Sequence, residues 1–213
     1  MAAKRAARPA VLAALAAAAL ATSALATFAL AQPMQMPTPS HDYKDAPPGT
    51  YAIDPTHTSV IARVPHLGFS YSTFRFTGVS GTLGWNPADP QADTLTISVD
   101  PRSIATAAVS GFSDELQGPK FLNSAAYPAV TFAATAFRPQ GPAGGVIEGD
   151  LSLLGVTRHI SFEATLVGTG KGFHGPVIGV SAEAKLDPKL YSLPPFITAP
   201  IELYIDTEFD KQP

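Results

Sequence analysis

The chain has 213 residues, of which 46% are hydrophobic and 15% charged, with 21 prolines and no cysteine. This length fits one domain, and a charged fraction well below the usual ~25% argues against a charged helical bundle or coiled coil. The absence of cysteine excludes disulfides and CxxC metal sites.

The first 31 residues have the pattern of an export signal. Three basic residues precede an alanine-rich apolar run over residues 10–31, which ends in Ala29-Leu30-Ala31. This order predicts a signal peptide over residues 1–31, a mature chain that begins at Gln32, and a periplasmic protein. The alternative is a retained membrane anchor, since ~20 apolar residues can span a bilayer. Alanine is a weak lipid-facing residue, which favours cleavage and no stable membrane span afterwards.

The mature chain is acidic, because removal of the signal leaves 11 basic against 17 acidic residues, a net charge of −6. No cluster of lysine or arginine remains, so nucleic acid is not an expected partner. Residues 32–49 contain five prolines and no apolar periodicity, which predicts a disordered tether. Met34, Met36 and His41 could form a soft copper-binding tract, so copper handling is one alternative function.

From residue 50 onward the dominant hydrophobic period is two. Apolar residues alternate with other residues over 60–64 and again, after several similar segments, over 201–209. This period predicts half-buried strands, eight or nine in all. Residues 111–127 break the pattern and predict a short helical insert, in which Ser113 can cap the first turn.

A single all-β domain over residues 50–210 must close or stack its sheets to remove exposed edges, as a barrel or a sandwich. The inward positions carry many alanines and glycines. These small residues leave open whether the interior is hollow or is filled by facing aromatic side chains.

Reaction machinery is scarce in the sequence. There is no nucleophile elbow, HExxH motif or P-loop. A two-histidine, one-carboxylate metal site can be drawn from Asp54, His57 and His66, which would make the protein a metal-dependent hydrolase. No nucleophile or third positioned group accompanies these residues. We therefore predict a protein that is not an enzyme, with no catalytic residues, no metal ligands and no cofactor.

Several blocks between Tyr51 and Glu208, taken together and in order, resemble the YceI family, a lipocalin-like group of exported polyisoprenoid-binding proteins. The blocks are Tyr51-Ala-Ile53-Asp54-Pro-Thr-His57-Thr, Val64-Pro-His66-Leu67-Gly68-Phe-Ser70, Ser103-Ile104-Ala-Thr106, Asp114-Glu-Leu116, Phe121-Leu122-Asn123, Tyr127-Pro128-Ala-Val-Thr131-Phe132 and Gly149-Asp-Leu151-Ser-Leu153-Leu-Gly155-Val156-Thr157.

The resemblance implies an extended, eight-stranded antiparallel lipocalin-like barrel. Its hydrophobic tunnel would hold a long-chain isoprenoid of the quinone or polyprenyl phosphate type, for transport or sequestration in the periplasm. Phe74 stands where the family usually has glycine, and its bulk could shorten the cavity. The long acidic last strand could end as a covered edge or as the contact of a homodimer.

Strand parity then selects the ligand-binding residues. His66 shares the parity of Val64, so we expect it to point inward near the strand end and to bind a ligand head group. The full set predicted to contact the ligand is Val60, Ala62, Val64, His66, Phe76, Leu95, Ile97, Phe132, Phe162, Ala164, Leu203 and Ile205.

Overall fold

The structure, a computed structural model, describes residues 36–107 and 109–213. The predicted signal peptide over residues 1–31 and Met34 of the copper tract lie outside the described residues. Pro37–Pro213 forms one compact unit. None of the helices in the described part of the chain is long and apolar enough to cross a membrane.

The described residues form ten strands and one short α-helix, α1 (Phe112–Gln117), which lies within the insert predicted over 111–127. The period-two segments of the sequence become strands because alternate side chains turn to opposite faces. The strands are β1 (Gly49–His66), β2 (Ser70–Phe76), β3 (Val79–Trp85), β4 (Thr94–Val99), β5 (Ile104–Ala105), β6 (Val130–Gln140), β7 (Gly144–Leu153), β8 (Val156–Lys171), β9 (Pro176–Leu186) and β10 (Ile201–Lys211).

Eight of these strands close into an antiparallel barrel in the order β1-β3-β4-β6-β7-β8-β9-β10, and β10 pairs with β1 to complete the ring. The barrel, and not the sandwich, is therefore the observed architecture, and the predicted fold class is confirmed. Because β10 has a partner on both sides, its acidic residues are not on a free edge. A homodimer stays a prediction.

Strand β1 is long enough to serve two neighbours on one side. Its first residues, Gly49–Ala52, pair with β3, and Val60–His66 pairs with β2. The register against β10 shifts between Asp54 and Ser59, which is the irregularity expected of a β-bulge. The last pair of β1 with β10 is Arg63 with Glu202, whereas β1 pairs with β2 as far as His66. The β1–β2 hairpin therefore extends past the ring.

Short 3-10 helices connect several strands, and each is capped by an aspartate. The carboxylates of Asp42, Asp89, Asp100 and Asp187 each accept a hydrogen bond from the backbone N–H two residues further on. In three of the four, proline follows the aspartate directly and supplies the fixed φ of the first turn. These Asp-Pro steps stop one strand and direct the chain into the next element.

The buried side chains form two clusters, one at each end of the barrel. We call one end the Trp85 end, where β1 begins and β3 finishes; its cluster includes Tyr51, Ile178 and Phe209. The other is the α1 end, where β10 begins; its cluster includes Leu186 and Ile201.

The tether predicted to be disordered instead packs on the barrel over residues 37–48. Ser40 exchanges backbone hydrogen bonds of 2.7 and 2.8 Å with Thr169 of β8. The Tyr43 ring meets the Trp85 ring edge-on with centroids 6.1 Å apart, and Ala46 is buried. The expectation of disorder is wrong for these residues because composition cannot show contacts with distant strands.

A glycine of β8 makes this docking possible. A Cβ at Gly168 would lie 2.7 Å from Pro39 Cβ, closer than a real side chain allows. Gly168 also sits at a register shift between β8 and β9. The bulged strand therefore receives the proline-rich segment directly against its backbone.

Candidate ligand-binding cavity

The barrel encloses an apolar cavity of about 350 Å³, and side chains from all eight ring strands line it. The volume lies within the ~300–1,000 Å³ typical of small-molecule sites. The sequence left open whether the interior is hollow or filled. The structure shows a hollow interior, and small inward residues line part of its wall. Ala164 and Ala182 are register partners on the cavity wall, where two methyl groups face space that larger side chains would fill.

Strand parity placed most of the predicted residues correctly with respect to the cavity. Phe132 and Phe162 meet edge-on at 5.2 Å between centroids and form part of the wall. That these side chains bind a ligand stays a prediction. The predicted residues that line the cavity are Val60, Ala62, Val64, Phe76, Leu95, Ile97, Phe132, Phe162, Ala164, Leu203 and Ile205.

His66 is the exception among the predicted residues. Its side chain is exposed, and it is not among the residues that line the cavity. It lies at the end of β1 and pairs with Ser70 of β2, beyond the last contact of β1 with β10 at Arg63. His66 therefore lies on the same face of β1 as Val64, but at His66 the strand has already passed the end of the barrel interior.

The metal site drawn from the sequence has a different composition in the structure. His57 Nδ1 lies 2.6 Å from Asp54 Oδ2 and 3.9 Å from Glu208 Oε2, and these three residues could hold a metal ion. His66 does not belong to the group. The hydrogen bond with His57 lowers the pKa of Asp54, and the same bond raises the pKa of His57. None of the three lines the cavity, so the group is separate from the hollow interior.

Sequence analysis missed a pair of polar residues on the cavity wall at the Trp85 end. Trp85 Nε1 and Asp93 Oδ2 are both buried and have no hydrogen-bond partner within the described part of the chain. The other carboxylate oxygen, Asp93 Oδ1, accepts from the backbone N–H of Asn86 at 2.5 Å. Burial raises the pKa of Asp93 to about 6. A parity signal existed, because Asp93 continues the inward series of Leu95 and Ile97.

A chain of aromatic side chains lies at the α1 end of the cavity. Phe74, Phe112, Phe121 and Phe196 form a chain with successive centroid distances of 6.5, 6.5 and 6.2 Å. Phe74 and Phe121 also line the cavity. Phe74 therefore joins the cavity wall to α1.

A closed ring of eight strands around an apolar cavity is the architecture of a protein that binds hydrophobic ligands in its interior. Residues 51–209 match the family of YceI-like domains. Protein YceI of Escherichia coli O157:H7 is 33% identical over 146 residues, which cover 67% of this chain and 75% of that protein. The chain belongs to the YceI-like family.

Solved structures show the same fold. The Campylobacter jejuni YceI protein has a TM-score of 0.63 and 23% identity, covering 70% of this chain and 91% of that chain. A polyisoprenoid binding domain from Saccharophagus degradans has a TM-score of 0.56 and 14% identity, covering 76% of this chain and 98% of that chain.

Proposed function

We propose that this protein binds a long-chain isoprenoid lipid, of the quinone or polyprenyl phosphate type, in the barrel cavity, and carries or sequesters it in the periplasm without catalysing a reaction. The observation that carries the proposal is the apolar cavity, which side chains of all eight ring strands line. The export pattern of residues 1–31 supports the periplasmic location. The polyisoprenoid binding domain of Saccharophagus degradans, which shares the fold, supports the ligand class.

The energetics of such binding are favourable. Each CH2 group moved from water into an apolar site contributes ~0.8 kcal/mol. Two to three isoprene units would therefore contribute ~8–12 kcal/mol before the entropic cost of association is subtracted. A few ordered units inside the barrel are enough for stable binding.

Native mass spectrometry of the purified mature protein, followed by organic extraction, tests the proposal. We expect an added mass that organic solvent removes and that fragments as an isoprenoid. The same preparation of an Ala164→Trp variant, in which the indole fills the cavity, should carry much less of that mass. A bound metal ion without lipid would contradict the proposal and favour the metal-dependent hydrolase or the copper-handling protein.

A further inference from the structure

We infer that Trp85 and Asp93 form a head-group site at the Trp85 end of the cavity, and that this site selects an uncharged isoprenoid alcohol over an isoprenoid phosphate. The Trp85 indole N–H would donate a hydrogen bond to the ligand's hydroxyl oxygen, and the hydroxyl group would donate a hydrogen bond to Asp93 Oδ2. This inference rests on the proposed isoprenoid cavity and changes the expected polar end of its ligand, from a quinone or a phosphate to a hydroxyl group.

The first support is the position of the two residues in the sheet. The last register pair of β3 with β4 is Gly84 with Thr94, so Trp85 and Asp93 stand opposite one another in the next position. Leu83 and Leu95, the next inward residues on the same two strands, are register partners. Trp85 and Asp93 line the cavity, as Leu83 and Leu95 do. Directly opposite residues on one face have Cβ atoms ~4.5–5.5 Å apart, which is close enough for both to contact one small polar group.

The second support is the unsatisfied hydrogen-bonding capacity of the pair. A buried donor or acceptor without a partner destabilises a folded protein, so such groups usually meet a ligand or water. Among the described residues, Trp85 Nε1 and Asp93 Oδ2 are the buried side-chain atoms in this condition. By contrast, the Thr58 and Thr207 hydroxyls on the same wall are 2.8 Å apart and satisfy each other. A hydroxyl group both accepts and donates, and so complements one indole N–H and one carboxylate oxygen.

The third support is the charge around the site. Asp93 and Arg138 are the charged residues that line the cavity within the described ranges. The Arg138 guanidinium is already engaged, because its Nε and Nη2 donate to the two carboxylate oxygens of Glu148 at 3.0 and 2.8 Å. The nearby Asp89 adds a further negative charge. A phosphate bound beside Asp93 would therefore meet repulsion, and the described part of the cavity wall offers it no unpaired cation; Lys44 and Lys211 lie near the Tyr43 and Tyr51 rings but do not line the cavity.

Displacement of the uncharged fluorophore N-phenyl-1-naphthylamine from the delipidated mature protein tests the inference. The competing ligands are geranylgeraniol, its methyl ether, geranylgeranyl phosphate and the corresponding hydrocarbon, so that chain length is constant. We expect the alcohol to bind about tenfold more tightly than the ether, the hydrocarbon and the phosphate, the effect of one desolvated hydrogen bond or of one like charge.

Two conservative variants separate the roles of the pair. Trp85→Phe keeps an aromatic ring but removes the donor, and should reduce the preference for the alcohol over the hydrocarbon to the part that Asp93 supplies. Asp93→Asn keeps an acceptor but removes the charge, and should raise phosphate affinity about tenfold while alcohol affinity changes little. The matched control is Asp89→Asn, which removes a neighbouring charge that does not line the cavity; phosphate affinity should change less than about threefold.

The outcomes distinguish this inference from the function on which it rests. If the hydrocarbon binds but the four ligands bind alike, or the phosphate binds best, the head-group site is wrong and the isoprenoid cavity stands. If none of the four ligands displaces the fluorophore, the proposed function itself fails. If the alcohol preference in Trp85→Phe is as large as in the unsubstituted protein, the hydroxyl lies elsewhere and the inference is overturned.

Discussion

The Trp85 end and the α1 end of the barrel close the same cavity with different chemistry. At the Trp85 end the wall contains an indole N–H and a carboxylate oxygen that lack partners among the described residues. At the α1 end the wall is continued by a chain of phenylalanines that joins β2 to α1 and to Phe196. The two ends of the cavity are therefore not equivalent, and a ligand with one polar end would form hydrogen bonds with these two groups in only one of its two orientations.

The largest expected effect comes from blocking the passage between the two ends. Ala164 lies on the cavity wall beside its register partner Ala182, so Ala164→Trp would place an indole in the space proposed for the lipid tail. Displacing about four CH2 groups from the cavity costs ~3 kcal/mol, so we expect isoprenoid affinity to fall about a hundredfold. Because the space is empty without ligand, the melting temperature of the delipidated variant should stay the same or rise. Fluorophore displacement and calorimetry measure the two quantities.

The control for this variant is Thr165→Trp, whose exposed side chain faces away from the cavity. It should leave binding nearly unchanged. A lower melting temperature of delipidated Ala164→Trp together with intact binding would mean that ligands bind outside the barrel interior.

The next effect concerns the α1 end alone. Phe74→Ala should lengthen the cavity there, since Phe74 lines its wall and contacts Phe112. We expect a loss of ~1–2 kcal/mol in the free energy of unfolding from the lost ring contacts. A series of isoprenoid alcohols of increasing length should then shift its optimum by one unit, with a gain of about tenfold for the longer ligand. An unchanged length optimum would show that the tail does not reach this end.

Residues such as Ala164 show how far local pattern predicts this site. A period of two assigns each strand residue to a face, and this was sufficient for eleven of the twelve predicted residues to line the cavity. The closure of the ring depends on pairing between β1 and β10, which lie about 150 residues apart, and no local pattern specifies that pairing. The resemblance to a known family supplied it.

The errors have equally specific causes. His66 was misplaced because β1 runs past the ring, and the length of a strand relative to its neighbours is a tertiary property. Asp93 was missed because it follows a proline-rich turn, and because inward positions were assigned from alternating apolar residues, a pattern in which an aspartate does not stand out. The residues around Tyr43 were expected to be disordered because the contacts that hold them on the barrel, with Trp85 and Thr169, are distant in sequence.

A smaller effect is the pH dependence of stability that Asp93 should give to the Trp85 end. Burial raises the pKa of Asp93 to about 6, so the folded protein holds this proton more tightly than the unfolded chain. Stability should therefore fall as pH rises from about 4 to 6, because the unfolded state loses the proton first. Since the side chain is only half-buried and solvent screens it, we expect a contribution of about 1 kcal/mol. Chemical denaturation at several pH values measures it, and Asp93→Asn should lack that part of the pH dependence.

Metal removal and salt should change the affinity for geranylgeraniol least of all. Asp54 and Glu208, which flank His57, do not line the cavity, whereas their strand neighbours Ile53 and Thr207 do. A metal ion at this group would therefore not touch a ligand inside the barrel. The bound alcohol is uncharged, and the one arginine of the described cavity wall is already paired with Glu148, so screening has little to act on. Affinity should change less than about twofold with a chelator or between low and high salt. A hundredfold loss in the chelator, restored by added metal and abolished in a His57→Ala variant, would instead connect the outer group to the function and favour the metal-dependent alternative.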